Sequence, residues 1–413
     1  MSKILWIPRA DEAKKSKMQK FIKFVNRRYS LKIKDYSSLH RWSIRRRDIF
    51  WNSVADFFEI KFSSKPTKIY QKSNTFFKDK WFLGAKLNFA QNILHPSSNK
   101  TAIESYNESG EKKSIKHKEL ADYVFVISSF LKEKGLKKGD RVAAIMPNIH
   151  ETVIASLSSA SIGAIWSSCS PEFGFEAILD RFKQISPKVL FACDGYTYKG
   201  KNFDCRKIIE NIKSNIPSIE LIILTNHNEN QRINCEGYVY WDEIDFTKKK
   251  IIKYEQMCFS DPLYIMFSSG TTGKPKSIVH SVGGTLIQHI KELGLHVDLK
   301  SNEKIFYYTT CGWMMWNWLL SGLFFKSTII LYDGNPFYPY NDSLLKITDS
   351  IDISVFGTSA KYISALEQKN LKPNTQFSFQ KLRTILSTGS PLVEENFEYV
   401  YDNWKSTVQL CSI

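Results

Sequence analysis

The sequence has no apolar run long enough to cross a bilayer. A membrane-spanning helix needs about 18 or more consecutive apolar residues, and the candidates are interrupted by Lys326 and by the serines of 156–168. The N-terminus also lacks the apolar core of a secretory signal peptide. These absences predict a protein with no membrane span and no secretion signal.

Paired cysteines are missing as well. Seven cysteines stand at positions 169, 193, 205, 235, 258, 311 and 411, with no Cys-x-x-Cys spacing. An odd, scattered set argues against a disulfide framework, so we expect a reducing, cytoplasmic environment. Cys169 has no recognisable His and Asn partners for nucleophilic catalysis, and we expect it to be a bystander thiol.

Acidic residues are scarce, and the formal net charge is +17. Residues 1–50 hold 15 Lys and Arg against 4 Asp and Glu, which accounts for +11 of that charge. Met18, Phe21, Ile22, Val25 and Tyr29 follow helical spacing, which makes the basic residues the solvated face of an amphipathic helix. A basic patch that attracts an anionic cofactor such as coenzyme A is the alternative. No zinc-finger, RNP-type or heptad pattern accompanies the charge, so we expect no nucleic-acid partner.

The 413 residues, 43% of them apolar, can bury a large core in roughly two to three domains. From Arg141 onward, short β-branched runs alternate with helical patterns, which predicts an α/β fold. Polar residues between 226 and 258 indicate a surface excursion or a join between subdomains. No internal repeat is visible in the sequence.

A Gly-, Ser- and Thr-rich loop lies between two β-prone runs, 263–267 and 277–281. Its glycines allow backbone N–H groups to surround an anion, and its hydroxyls and lysines add donors and positive charge, so we interpret it as a phosphate-binding loop. The candidate residues are Ser268, Ser269, Gly270, Thr271, Thr272, Gly273, Lys274 and Lys276. The spacing is wrong for a Walker loop, and Pro275 disfavours a helix directly after Lys274. An ordinary surface turn remains the alternative.

Two further stretches follow predicted strands. The run 307–322 contains Gly312 and Trp313 and concentrates tryptophan and methionine. Trp313, Trp316 and Leu320 share a helical face and can be read as core, but small-ligand pockets of α/β sheets also lie beyond strand carboxyl ends. The turn 389–391 follows another strand, and as an ordinary helix start it would use Ser390 as cap and Pro391 as first helical residue.

These stretches resemble the adenylate-forming superfamily, which includes the acyl-CoA synthetases. The 268–276 loop is similar to its signature loop, except that Ser277 stands where glycine is usual. Closer similarity is to acetyl- and above all acetoacetyl-CoA synthetases, in the strings 81–94, 163–174, 307–322, 332–336 and 356–362. Asn88 and Asn92, in the first of these strings, are read without the resemblance as structural amides.

The resemblance implies roles for these residues. The loop would bind the phosphates of ATP, and Gly389, Ser390 and Pro391 would form one wall of the adenine site. Gly312 and Trp313, with Thr358 and Ser359, would border the acyl group. The implied reaction joins acetoacetate to AMP with loss of pyrophosphate and then transfers the acyl group to coenzyme A, with Mg²⁺ as cofactor. No metal ligand and no catalytic residue can be assigned within the chain.

The resemblance also implies the fold class: the large N-terminal domain of the adenylate-forming fold, with mainly parallel sheets and helices on both faces. We expect residues 1–100 to form a helical and extended segment and residues 101–413 to form a partial AMP-binding core. The chain ends inside the strand-like run 408–413, so we expect it to be incomplete, without the small C-terminal domain. We therefore expect impaired activity. Two alternatives stay open, an acetyl- or propionyl-type synthetase and a non-catalytic remnant.

Overall fold

The computed structural model describes residues 4–227, 232–233, 235–247, 253–268 and 273–413. Residues 4–100 contain five α-helices and three short strands. Their elements are α1 (Ala10–Lys15), α2 (Lys17–Tyr29), α3 (Tyr36–Arg45), α4 (Arg47–Phe57), β1 (Lys68–Gln71), β2 (Lys80–Leu83), β3 (Lys86–Leu87) and α5 (Phe89–Ile93).

The middle of the chain alternates strands and helices. Its elements are β4 (Thr101–Asn107), β5 (Lys112–Lys116), α6 (His117–Glu133), β6 (Arg141–Ile145), α7 (His150–Ser161), β7 (Ile165–Cys169), α8 (Phe175–Ile185), β8 (Val189–Cys193), β9 (Gly195–Tyr198), β10 (Lys201–Asp204), α9 (Arg206–Asn215), β11 (Leu221–Thr225), β12 (Tyr238–Tyr240) and β13 (Met257–Cys258).

The last third repeats this alternation. Its elements are β14 (Pro262–Phe267), β15 (Ser277–Ser281), α10 (Val282–Lys291), β16 (Lys304–Tyr307), α11 (Met314–Leu320), β17 (Thr328–Asp333), α12 (Ser343–Ser350), β18 (Val355–Ser359), α13 (Ala360–Gln368), β19 (Thr384–Thr388), α14 (Glu394–Tyr399) and β20 (Gln409–Ser412).

Two seven-stranded sheets form the body of the fold. The first has the strand order β12-β11-β8-β6-β7-β14-β15, and the second has the order β20-β19-β18-β16-β17-β4-β5. Each sheet is parallel except for one antiparallel pair at its edge, β14 with β15 and β4 with β5. The α/β fold with mainly parallel sheets is thus confirmed.

The two sheets have the same topology. In each, five successive parallel strands are ordered 5-4-3-1-2, and the antiparallel pair lies beside strand 2. This structural repeat has no counterpart in the sequence, because strand order depends on which backbones pair and leaves no residue signature of its own.

Burial explains the strand and helix patterns. Strands β8 and β11 are buried along their whole length, as expected for continuous apolar runs covered on both faces. Helices α8 and α9 lay apolar stripes on the sheet, with Phe182 and Ile212 fully buried. Helix α7 is buried almost throughout and contacts β7 of the first sheet and β4 of the second.

The N-terminal segment joins the same core. Phe21, Ile22 and Val25 of α2 are buried, and the Phe21 ring meets that of Phe57 edge-on at 5.3 Å between centroids. The amphipathic reading of this helix is therefore confirmed. No helix in the described residues has the length and apolar character needed to cross a bilayer.

Asn88 ties this segment to the body of the fold. Its side-chain nitrogen donates to the carbonyl oxygens of Ala160, Ser161 and Glu255, at 2.9, 3.2 and 2.8 Å, and its side-chain oxygen caps α5 by accepting from the Gln91 N–H. Asn92 bridges the backbone of Lys61. The structural reading of both amides is confirmed.

Replacing Asn88 tests this connection. We expect Asn88→Ala to lower the free energy of unfolding by about 2–4 kcal/mol, because it leaves several buried backbone groups unpaired. Asn374→Ala, which removes one exposed bond to the Asp402 carbonyl, is the matched control and should change stability by less than about 1 kcal/mol. Equal denaturation midpoints for the two variants would contradict this account.

Candidate functional site

The glycine-rich loop connects β14 to β15 at the edge of the first sheet. The strands pair up to Phe267 and Ser277, and the Ser268 N–H donates to the Lys276 carbonyl at 3.0 Å. Strand β15 follows the loop, so no helix begins at Gly273 and Lys274 and the Walker alternative is excluded. The four predicted site residues Ser269, Gly270, Thr271 and Thr272 lie outside the described residues.

The described lysines of this loop point to solvent. The Lys274 side chain is 80% exposed, and its ammonium group lies 3.4 Å from a carboxylate oxygen of Asp180 on α8. The same helix supports the loop backbone through Gln184, whose side-chain nitrogen donates to the Pro275 carbonyl at 2.8 Å. Lys276 is exposed as well. Positive charge is thus held at the carboxyl edge of β14, where an anion could approach.

A cavity of about 490 Å³ lies where strand ends of both sheets converge. Four strands of the second sheet, β16 to β19, contribute residues at and just after their carboxyl ends, and the segments after β6 and β7 together with the end of β9 close the other side. Its lining includes Asn148, Ser170, Glu172, Tyr198, Tyr307, Tyr308, Thr310, Trp313, Met314, Met315, Tyr332, Asp333, Thr358, Ser359, Thr388 and Gly389.

Trp313 borders this cavity and is 58% exposed, whereas Trp316 and Leu320 are buried. The core reading of the tryptophan-rich run therefore holds for two residues of that helical face and fails for Trp313, which precedes α11 as its N-terminal cap. A Cβ on Gly312 would lie 3.3 Å from the Ser168 carbonyl. Met314 and Met315 line the cavity too, and no pattern in the sequence separates them from the core residues of the same run.

Thr358 and Ser359 lie at the end of β18 and both line the cavity. Ser359 caps α13 by accepting from the Tyr362 N–H at 3.3 Å. Thr358 is fully buried, and its hydroxyl has no hydrogen-bond partner in the described residues. The buried hydroxyl of Thr310 likewise has no hydrogen-bond partner among the described residues.

The 389–391 turn is only partly in this cavity. Gly389 lines it with a backbone φ of +88° and open space around its α-carbon, which favours glycine. Ser390 and Pro391 are exposed and do not line it. The expectation that they cap and open a helix is wrong: α14 begins at Glu394 after Val393, with no side-chain cap, because the chain stays extended for several residues after the turn.

Sequence reasoning missed a group of carboxylates beside the cavity. Glu108 accepts hydrogen bonds from the backbone N–H groups of Lys199, Gly200 and Asn335, at 3.0, 2.6 and 3.0 Å. This fixes the β9–β10 turn. Burial, followed by the nearby charges of Glu172 and Glu108, raises the pKa of Asp333 to about 7. The 332–336 string marked this position only through its resemblance to a family.

Thiol and metal chemistry find little support in the described residues. Burial raises the pKa of Cys169 to about 12, so its thiol is protonated at neutral pH, and all seven cysteines are free. Within the described ranges, no group of three or more His, Cys, Asp and Glu side chains could hold a metal ion.

Comparison with known proteins places the chain in a family. The model of the AMP-binding enzyme family matches residues 90–410, and that of the acetyl-coenzyme A synthetase N-terminus matches residues 36–93. The chain belongs to the AMP-binding enzyme family, whose members include acyl-CoA ligases.

Within this family the chain is a homologue of acetoacetyl-CoA synthetases. It is 40% identical to that of Rhizobium meliloti, over 99% of this chain and 63% of the relative, and 39% identical to that of Danio rerio, over 100% and 63%. The structure of acetoacetyl-CoA synthetase from Streptomyces lividans matches with a TM-score of 0.94 at 33% identity, over 100% of this chain and 64% of that one. A malonamoyl-CoA synthetase of Penicillium aethiopicum is 33% identical, over 99% and 61%. The chain thus spans about 63% of the length of its first relatives.

The pKa of Asp333 leads to a test. Its folded-state pKa lies above the unfolded value, so the carboxyl costs stability as pH rises from about 4 to about 7. We expect Asp333→Asn to raise the free energy of unfolding by on the order of 2 kcal/mol near pH 8 and to have little effect near pH 4. Denaturant unfolding across this pH range is the measurement. The exposed Asp122→Asn is the control, and a pH-independent gain for Asp333→Asn would refute the assignment.

Proposed function

We propose that this chain carries the nucleotide- and acyl-binding part of an acetoacetate–CoA ligase, which forms acetoacetyl-CoA from acetoacetate, ATP and coenzyme A with release of AMP and pyrophosphate. One observation carries the proposal most of all: Trp313, Thr358 and Gly389, which come from three different strand ends, meet at one cavity of about 490 Å³. A cavity of this size suits a small acyl group together with part of a nucleotide.

The nucleotide would bind between the loop and the 389–391 turn. The β14–β15 connection carries the exposed side chains of Lys274 and Lys276, and two neighbouring positive charges beside a Gly-, Ser- and Thr-rich sequence fit a polyphosphate. Bound ATP would supply the adenylyl group: the acid's carboxylate would bond to the α-phosphorus as the bond to pyrophosphate breaks, and the lysines would neutralise the charge that develops on the leaving pyrophosphate. On the other side, the space around Gly389 leaves room for a flat base, with Ser390 and Pro391 exposed beside it.

The acyl group would lie against Trp313 in the cavity, while Gly312, which does not line it, lets the chain before Trp313 pack closely against the Ser168 backbone. Acetoacetyl and malonamoyl, which appear in the names of two relatives, both carry a second carbonyl at the β-carbon, and acetyl and propionyl groups do not. The unpaired hydroxyls of Thr310 and Thr358 could donate to this carbonyl after rotation about χ1. A buried unpaired hydroxyl is costly, so a ligand that pairs it gains selectivity over acids lacking the β-carbonyl.

Coenzyme A and Mg²⁺ complete the proposed set. Glu172 and Tyr198 border the cavity beside the β9–β10 turn, on a side from which a thiol could approach. Mg²⁺ commonly binds through one or two carboxylates together with substrate phosphates. We therefore propose that Mg²⁺ would bind together with the nucleotide phosphates. This is compatible with the described residues, among which no three His, Cys, Asp or Glu side chains are grouped as metal ligands.

Two other functions are open to the same test. An acetate- or propionate-specific ligase would not use the unpaired threonines, and a non-catalytic remnant would hold neither nucleotide nor acyl group in a defined pose. Selective binding of a β-oxoacyl ligand separates both from the proposed function. We expect a reducing, cytoplasmic location, which suits seven free thiols.

Removal of the loop lysines tests nucleotide binding. We expect Lys274→Ala and Lys276→Ala each to weaken ATP binding to the 413-residue chain by about tenfold, since each removes one charge from a phosphate contact. Titration calorimetry with ATP and Mg²⁺ is the measurement. Lys183→Ala, on the exposed face of the neighbouring α8, is the control. Unchanged affinity in both loop variants would rule out this phosphate site.

Thr358 tests the acyl specificity. The probes are sulfamoyl-adenosine mimics of the acetoacetyl and butyryl adenylates, which do not require turnover. We expect the parent chain to prefer the acetoacetyl mimic, and Thr358→Val to reduce that preference by about tenfold. Thr358→Ser keeps the hydroxyl and should restore the preference. A preference unaffected by valine would remove Thr358 from the acyl site.

A further inference from the structure

The most exposed aromatic side chains identified in the fold lie together at the end of one hairpin. Phe76 and Phe77 are 82% and 81% exposed. They lie between β1 and β2, which pair in an antiparallel sense. Single exposed apolar residues are common on proteins, but two adjacent rings at this exposure mark an interaction site.

The hairpin that presents these rings is firmly built. The Asp79 carboxylate accepts from the Tyr70 hydroxyl at 2.6 Å and from the Ser73 N–H at 2.7 Å. The Tyr70 ring lies 4.5 Å from that of Trp81, between centroids, and the Arg47 guanidinium lies 4.9 Å from the Tyr70 ring centroid. These contacts hold the strands at the base of the hairpin, and Phe76 and Phe77 lie in the connection that the base presents to solvent.

Positive charge surrounds the tip. Residues 61–86 contain seven lysines and a single acidic residue, Asp79. All seven lysines are exposed, and none forms an ion pair within the parts of the chain that the structure describes. Lys72, Lys78 and Lys80 stand within a few residues of the two rings. This charge is uncompensated and faces solvent.

These features fit a lipid surface better than a protein partner. Protein interfaces are depleted in lysine and need about 800 Å² of complementary surface on each side. This tip instead offers two exposed phenylalanine side chains with several exposed lysines close to them in the sequence. Apolar side chains such as phenylalanine enter the boundary between the headgroups and the acyl chains of a bilayer, and nearby lysines are attracted by anionic lipids. Strand β2, which leads away from the tip, also lines an apolar cavity of about 760 Å³ with Trp51, Phe82 and Phe259.

We propose that the hairpin of residues 68–83 docks on anionic phospholipid bilayers, with Phe76 and Phe77 entering the headgroup region and the surrounding lysines contacting lipid phosphates and carboxylates. This surface is formed by residues other than those of the nucleotide and acyl site, so the proposal does not depend on the proposed function. The association would be peripheral and weakened by salt.

Vesicle sedimentation tests this proposal directly. The probes are vesicles of phosphatidylcholine alone and of phosphatidylcholine mixed with phosphatidylserine. We expect the 413-residue chain to bind the mixed vesicles and not the neutral ones. The double variant Phe76→Ser with Phe77→Ser should bind at least about tenfold more weakly, and the triple variant Lys72→Gln, Lys78→Gln and Lys80→Gln about a hundredfold more weakly.

Matched controls come from surfaces far along the chain. Tyr340→Ser removes an aromatic side chain that is 65% exposed, and Lys346→Gln with Lys372→Gln and Lys381→Gln removes three exposed lysines. Both should leave vesicle binding unchanged. A tryptophan placed by Phe77→Trp should shift its emission to the blue on mixed vesicles, which reports entry into the headgroup region.

Several results would overturn the proposal. These are no binding of the parent chain to mixed vesicles, equal binding to neutral vesicles, or unchanged binding of the phenylalanine variant. Self-association that disappears with Phe76→Ser and Phe77→Ser, measured by sedimentation velocity without lipid, would instead assign the tip to a second copy of the chain. ATP binding, measured in parallel, should be the same in all these variants.

Discussion

The candidate site depends on one constraint, the parallel pairing of strands. Parallel neighbours end at the same edge of a sheet, so residues that follow β16, β17, β18 and β19 are brought together although they are far apart in sequence. The parallel contact of β14 with β7 fixes the loop at the matching edge of the first sheet. Without these pairings, Trp313, Thr358 and Gly389 would be three unrelated loop residues. Side-chain chemistry then decides what the shared edge can bind.

The carboxylates beside the cavity show how a polar wall is kept rigid. Glu108 is buried, but its carboxylate accepts hydrogen bonds from three backbone N–H groups. Two of these groups belong to the β9–β10 turn, so Glu108 also holds that turn in place. Asp333 is buried near the like charges of Glu172 and Glu108, and only the backbone of Asn148 counters them within the described residues, so the pKa of Asp333 is raised to about 7. Neighbouring acids in one wall thus take different roles, one as an anchor and one as a group that titrates near neutral pH.

Much of the local structure could be predicted from the sequence, because apolar runs and helical periodicity reflect burial directly. Strand β15 coincides with the predicted run 277–281, β14 differs from the predicted run 263–267 by one residue, and the alternation expected from Arg141 onward is found in the order of strands and helices. Predictions failed where local signals compete with tertiary ones. Ser390 and Pro391 have ideal helix-start chemistry, yet the helix begins later. Trp313 shares helical spacing with core residues but faces a cavity. The common topology of the two sheets and the environment of Asp333 depend on contacts across hundreds of residues, which a single sequence does not display.

The buried helix α7 has a further consequence for the cleft. Five of its twelve residues are alanine or serine between Ser156 and Ser161, and its serines return hydrogen bonds to backbone carbonyls, as Ser159 does to Ala155 at 2.9 Å and Ser161 to Ser158 at 2.7 Å. The small side chains make the helix thin, and the hydroxyls of these serines have hydrogen-bond acceptors within the helix itself, so they need no water as a partner. Since α7 packs against β7 of the first sheet and β4 of the second, a change of side-chain volume in this helix acts on both sheets. One methyl group added to or removed from this helix is therefore expected to change the shape of the cavity at the strand ends while every residue that lines that cavity stays the same.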